Sequence, residues 1–140
     1  MNEILDFFRT HWQLSGAFVL LLLAYIGFEV MQSTEKREIT PEQAVELYNH
    51  KHAMICDVRT AEEFSSGHLI GAQNITMDEV LNNAKKLQKY VDKPLIMVCA
   101  AGKRSMRCVK HLETQGFSQV VSIAGGVHAW ETAGLPLTKD

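Results

Sequence analysis

An α/β domain on a parallel sheet, preceded by one transmembrane helix, is the architecture that this 140-residue sequence predicts. Three observations lead there. Apolar residues concentrate near the N-terminus in a run without charge. Beyond it, strand-like apolar runs alternate with segments of helical spacing, the pattern of parallel strands covered on both faces by helices. Two of those runs end at Asp57 and Cys99, and in such sheets chemistry sits beyond the carboxyl ends of the strands. The length leaves room for one compact domain plus an appendage. A net charge of -2 gives no sign of nucleic-acid binding, so no nucleic-acid partner is expected.

The N-terminal span comes first. From Thr10 to Phe28 no side chain is charged if His11 is neutral, and the centre reads GAFVLLLLAYIGF. Crossing a hydrocarbon core takes about 20 mostly apolar residues, a length that residues 12–31 reach, with Trp12 as an interfacial anchor. A cleaved signal peptide would want a basic leading region and a small-x-small cleavage site. Here Glu3 and Asp6 face one Arg9, and the exit reads FEVMQSTEKRE. A buried core helix with leucines on every face would need a larger protein around it. Lys36 and Arg37 follow the span, and the three cysteines, an odd number, suit a reducing compartment. The expectation is a single-pass segment in the inner (cytoplasmic) membrane, with the C-terminal domain facing the cytoplasm. Residues 1–33 then form the anchor segment and 34–140 the domain, joined through a polar linker at Gln32–Glu38. Small residues in SGAF would suit self-association of the span.

The domain opens with Thr40 as N-cap and Pro41 at the first helical position, with Ala44, Val45, Leu47 and Tyr48 supplying an apolar face. AMICDV reads as a strand ending at Asp57. Thr60 followed three residues later by Glu63 is a capping box, and the short helix stops at Gly67. AQNI has the look of a short strand, TMDEVLNNAKKLQKYV of one helix, and KPLIMVC of a second long strand. KRSMRCVKHLETQG is a helix ending at Gly116, FSQVVSIAG a third long strand and GVHAWETAG a last short helix.

The segment CAAGKRS, Cys99 to Ser105, joins a strand to a helix. Ala100, Ala101 and Gly102 carry almost no side chain, so backbone N–H groups can converge near the cysteine sulfur, and Gly102 permits the positive φ that turns them inward. A helix beginning at about Arg104 adds free N–H groups and a dipole favourable to negative charge. Helix N-termini and nearby cations lower a thiol pKa from roughly 8.5 into the range 3.5–7.5, which yields a nucleophilic thiolate. Cysteine phosphatases place arginine at the sixth position after the cysteine. Here Ser105 holds that position and arginine arrives one earlier, at Arg104. The shorter loop suits one sulfur atom better than a phosphate. Neither a zinc site nor a thioredoxin-type motif is supported, since no Cys-x-x-Cys pair is present, and no metal or cofactor is expected.

DVRTAEEFSSGHLIGAQNI at Asp57–Ile75, CAAGKRS, and GGVHAWETAGLPL at Gly125–Leu137 together resemble the single-domain rhodaneses, a family of sulfurtransferases. The resemblance covers Ile39 to Leu137, and the N-terminal span resembles that of membrane-anchored members. It implies a five-stranded parallel sheet flanked by helices. It further implies that Cys99 takes a sulfane sulfur from thiosulfate or a persulfide, small molecule or protein, carries it as a persulfide, and passes it to a thiol or to cyanide. The N–H groups of the loop would hold the persulfide's charge, and Lys103 and Arg104 would attract an anionic donor. Asp57 and Arg59 would pair with neighbouring groups and fix the loops, with Glu63 as a partner for Arg59. His68 reads as structural, because a thiolate already formed needs no base. Cys56 belongs to the core, Trp130 packs the last helix onto the sheet, and Cys108 stands two helical turns from the loop as a candidate resolving thiol. A membrane-tethered binding or scaffolding module is the alternative from another class, and a phosphatase or arsenate reductase the third.

Overall fold

The computed structural model describes residues 1–139, with the side chains of Ser33, Thr34 and Glu35 set aside. The described chain falls into two units, one comprising Met1–Glu35 and the other starting at Lys36. In the first, α1 (Asn2–Thr10) is followed after His11 by α2 (Trp12–Arg37). Trp12–Gln32 of α2 is long and apolar enough to cross a membrane, and none of that window is buried. Helix α1 was not expected. Nor is Gln32–Glu38 a linker, because α2 continues to Arg37 and Glu38 opens β1 (Glu38–Ile39). No glycine or proline interrupts QSTEKR, and Lys36 and Arg37 suit the carbonyl end of a helix.

The second unit continues through α3 (Pro41–Lys51), β2 (Met54–Asp57), α4 (Ala61–Ser65), β3 (His68–Leu69), β4 (Gln73–Asn74) and α5 (Met77–Asn82). A 3-10 turn over Ala84–Tyr90 leads to β5 (Leu95–Val98), α6 (Lys103–Thr114), β6 (Val120–Ile123), α7 (Gly126–Thr132) and β7 (Leu137–Thr138). Threonines cap α3, α4 and α5 in complete capping boxes, with Thr40, Thr60 and Thr76 answered by Gln43, Glu63 and Glu79. The helix expected over TMDEVLNNAKKLQKYV breaks at Asn83, whose extended backbone and side-chain bond to the Lys85 N–H restart the chain as a 3-10 turn. Asparagine competes with helix in this way because its side chain reaches nearby backbone groups.

Five strands form one parallel sheet in the order β1-β6-β5-β2-β4, as the family resemblance implies. The long strands β5 and β2 lie at its centre, buried on both sides. Side chains alternate across a strand, so Met97 of β5 and Cys99 just after it face one core with Val80 of α5 and Cys108, Val109 and Leu112 of α6. Ile96 and Val98 face the other, with Ala44 of α3 and Val127 and Trp130 of α7. Trp130 thus packs the last helix on the sheet, and its Nε1–H donates to the Pro136 carbonyl at 3.0 Å. β3 and β7 form a separate antiparallel pair. Two-residue strands leave no periodicity in the sequence to read.

Candidate active site

β5 carries Cys99 to the carboxyl end of the central strands, and the chain then turns directly into α6. Gly102 makes the turn with φ at 101°, a left-handed conformation that a side chain would strain. Its N–H donates to Cys99 Sγ at 3.0 Å, and Ser105 Oγ lies 3.4 Å from the same sulfur. Ser105 Oγ also donates to the Gly102 carbonyl at 3.1 Å and lies 2.7 Å from Ser122 Oγ on β6. Both serines are fully buried. A hydroxyl has one proton and two acceptor positions, so with Ser122 donating to it the Ser105 proton is shared between the Gly102 carbonyl and the sulfur.

Burial of Cys99, 1% exposed, by itself pushes the thiol up. The Ser105 hydroxyl and the amides of Ser105, Gly102 and Ala101 outweigh it and hold the thiol below its usual range. The other two thiols go the opposite way. Burial pushes Cys108 up to about 12, and Cys56 is raised by burial as well. All three are free. Of the three thiols, Cys99 is therefore the one whose charged form the fold favours, while burial keeps Cys108 protonated in the same core.

α7 sets the loop's shape from the other side. The Val127 N–H donates to the Cys99 carbonyl at 2.8 Å, and the His128 N–H to the Ala100 carbonyl at 3.1 Å. With the Ala100 carbonyl tied outward, the Ala101 amide that follows it faces the sulfur. So close an approach is possible only because position 126 is glycine, since a Cβ there would overlap the Cys99 and Ala100 backbone.

Arg104 ends the loop with its guanidinium on Glu63 of α4, through Nη1–Oε2 at 2.9 Å and Nη2–Oε1 at 3.1 Å. The Arg104 guanidinium, followed by the Thr60 N–H, holds the Glu63 carboxyl down to about 2. Glu63 is therefore the partner of Arg104 and not of Arg59. Arg59 pairs instead with Asp57, Nη2–Oδ2 at 2.8 Å, and donates to the Gly67 carbonyl at 2.7 Å. Both members of that pair are buried, and only two positions separate them, so Asp57 is the anion that Arg59 reaches without leaving the interior. Asn74 completes the turn by donating to the Asp57 and Arg59 carbonyls. His68 is buried with Nδ1 2.9 Å from the Phe64 carbonyl and its ring stacked on Phe64 at 3.7 Å. Ala100 is half-buried, while Ala101 and Lys103 are exposed along the outer edge of the loop.

Two features here were missed in the sequence. Ser122 lies in an apolar strand by sequence, and a hydroxyl inside VVSI, on a largely buried strand, is a signal that something polar must satisfy it. The pair Gly125–Gly126 belongs to the resembling segment, but its spacing alone does not announce the close backbone approach that it permits. A cleft of about 200 Å3 lined by Arg59, Gly67, Ala100, His128 and Glu131 reaches one side of the loop. A groove of about 380 Å3 touches Ala101, Gly102 and Lys103 on another.

The arrangement can polarise one sulfur atom and hold negative charge on it or on a second sulfur attached to it. Comparison with known proteins agrees with that chemistry. A protein called YibN in Escherichia coli K12, which carries no assigned function in its name, is 34% identical over 141 residues, covering 99% of both chains. The thiosulfate sulfurtransferase GlpE of Pseudomonas putida GB-1 is 35% identical over 97 residues, 69% of this chain and 86% of that one. The crystal structure of a rhodanese-related protein from Thermoplasma volcanium superposes with a TM-score of 0.64 at 30% identity, over 74% of this chain and 99% of the other. The family model for the rhodanese-like domain matches residues 40–133, and it is to this family, the rhodaneses, that the chain belongs.

Proposed function

We propose that the protein is a membrane-anchored sulfurtransferase that moves a sulfane sulfur through a persulfide on Cys99. The Cys99 thiolate attacks the outer sulfur of thiosulfate. The S–S bond breaks, sulfite leaves with the electron pair, and Cys99–S–S⁻ remains. Attack of cyanide or a thiolate on the outer sulfur of that persulfide releases thiocyanate or a new persulfide and restores the Cys99 thiolate. No external oxidant or reductant is consumed. The amides of Ala101, Gly102 and Ser105, with the Ser105 hydroxyl, carry the charge of the thiolate and then of the persulfide, as an oxyanion hole does for oxygen. Asp57 and Arg59 hold the neighbouring turn, and Lys103 and Arg104 contribute positive potential at the mouth. Residues 12–31 anchor the chain in the inner membrane, 34–140 form the transferase, and Lys36 and Arg37 keep that part on the cytoplasmic side.

The observation that carries this reading is the Cys99 sulfur, buried at a strand end and receiving an amide N–H at 3.0 Å with a buried hydroxyl at 3.4 Å. The relative GlpE, named as a thiosulfate sulfurtransferase, supports the choice of donor. Purified full-length protein in detergent, mixed with thiosulfate and cyanide, is expected to release thiocyanate, and Cys99→Ser to abolish the release. Intact mass after thiosulfate should show the gain of one sulfur atom on the wild type alone. A wild type that gains no sulfur from thiosulfate or from a polysulfide overturns the reading and leaves the tethered binding module.

A further inference from the structure

Helix α1 sorts its side chains without exception. Successive residues of an α-helix are turned by about 100°, which gathers Ile4, Leu5, Phe7 and Phe8 within an arc of about 160° and leaves Asn2, Glu3, Asp6, Arg9 and Thr10 on the rest. None of these residues is buried, and the four apolar side chains are 54% to 63% exposed. A helix this short is marginal in water unless its apolar face packs against something, and no described residue of the protein buries this one.

The position of the face shows what covers it. His11 alone separates α1 from α2, and its backbone (φ -114°, ψ 38°) departs from helical values, which lets the two helices take different directions. Leu5, Phe8 and Arg9 line one hollow with Trp12, the first residue of the 21-residue apolar stretch. The apolar face of α1 is therefore continuous with the start of that stretch.

We infer that α1 lies in the plane of the lipid interface, its apolar face seated among acyl chains and its polar face in the headgroup layer. This rests on residues 12–31 crossing the membrane, as proposed above. A straight extension of the span would instead lift four large apolar side chains into water. A deeper one would draw Glu3, Asp6 and Arg9 into hydrocarbon. Lipid is favoured over a protein occupant because the start of the span already holds α1 at the interface. Two acids against one arginine give α1 no attraction to anionic headgroups, so apolar burial drives the seating. An in-plane helix joined to the span then limits how far the span can slide or rotate.

A nitroxide label on a single cysteine reads both depth and face. Full-length protein in the Cys99→Ser background, where the remaining Cys56 and Cys108 are buried, carries Ile4→Cys, Asp6→Cys, Phe8→Cys or Leu22→Cys one at a time. It is reconstituted sparsely in phosphatidylcholine vesicles. Collisions with oxygen, which concentrates in lipid, are compared with those of a nickel chelate, which stays in water. Labels at positions 4 and 8 should meet oxygen at a depth of about 5–10 Å below the headgroup boundary. The label at position 6 should meet nickel, and the one at position 22 should lie near the bilayer centre. Added salt should leave all four depths unchanged. Nickel access at positions 4 and 8 equal to that at 6, with 22 still in lipid, overturns the inference and leaves the anchor standing. Oxygen access at 6 equal to that at 4 and 8 overturns it too, because α1 would then be part of the span. So does a requirement for anionic lipid, or protection of 4 and 8 from both reagents that grows with protein density, which would mean that a second copy covers the face. Nickel access at position 22 would refute the anchor itself, and the seat of α1 with it.

Discussion

Cys99 shares one core with two other thiols, and what distinguishes it is a set of donors pointed at its sulfur. Burial alone would make all three inert, as it does Cys56 and Cys108. Around Cys99 three amides and one hydroxyl reverse the sign. A donor stabilises the charged form, so its removal raises the thiol pKa and shrinks the thiolate fraction at and below neutral pH. Ser105→Ala should therefore move the acid limb of the rate profile upward by about one pH unit, the size expected for a hydrogen bond to a charged group. Ser122→Ala should move it in the same direction by less, because Ser122 acts through Ser105, and Ser122→Thr should restore it. The pH dependence of Cys99 alkylation reads the same shift without turnover. An acid limb that stays in place in both alanine variants would show that the serines merely fill space.

At α7 the loop is shaped by backbone contact. Gly126, with φ at 58°, brings the helix against the Cys99 and Ala100 carbonyls, where two of its amides bind them. Gly126→Ala combines a left-handed penalty with a Cβ forced into backbone, at a cost of about 2–4 kcal/mol. Gly134→Ala is the control. Its φ is 77° and nothing lies within 4 Å of the added Cβ, so it should cost only about 1–2 kcal/mol. Urea denaturation measures both. Equal losses in the two variants would mean that the approach of α7 to the loop is not tight. Because the same contact aims the loop amides, activity in Gly126→Ala should fall further than stability explains.

The whole chain joins a 21-residue apolar helical stretch to a rhodanese-like domain. At 1.5 Å per residue that stretch is about 31 Å long, against a hydrocarbon core of about 30 Å. Full-length protein should therefore stay with the membrane through alkaline carbonate extraction. Protease should reach the C-terminal unit in inverted vesicles and spare it in right-side-out ones. Release by carbonate would refute the anchor, and the reverse protease pattern would refute the orientation.

Much of this was readable before any fold was known. Thr40, Thr60 and Thr76 with their partners three residues on announce helix starts, because capping is a local interaction between near neighbours. The runs ending at Asp57 and Cys99 announce central strands, because a strand buried on both faces must be apolar at nearly every position. The loop's small residues and its arginine one place early announce a sulfur cradle for the same local reason, as far as covalent spacing limits the space a loop encloses. The pairing of Arg104 with Glu63, the bond from Ser122 to Ser105 and the seating of Gly126 on the Cys99 carbonyl were not legible. Each joins residues far apart in the chain, and only the order of strands in the sheet brings them within hydrogen-bond reach. The sequence by itself determined which cysteine is the candidate nucleophile and how few residues enclose the space beside it. The tertiary structure decided which groups donate to its sulfur, because Ser122 and the helix that shapes the loop come from the strand beside Cys99 and the segment that follows it.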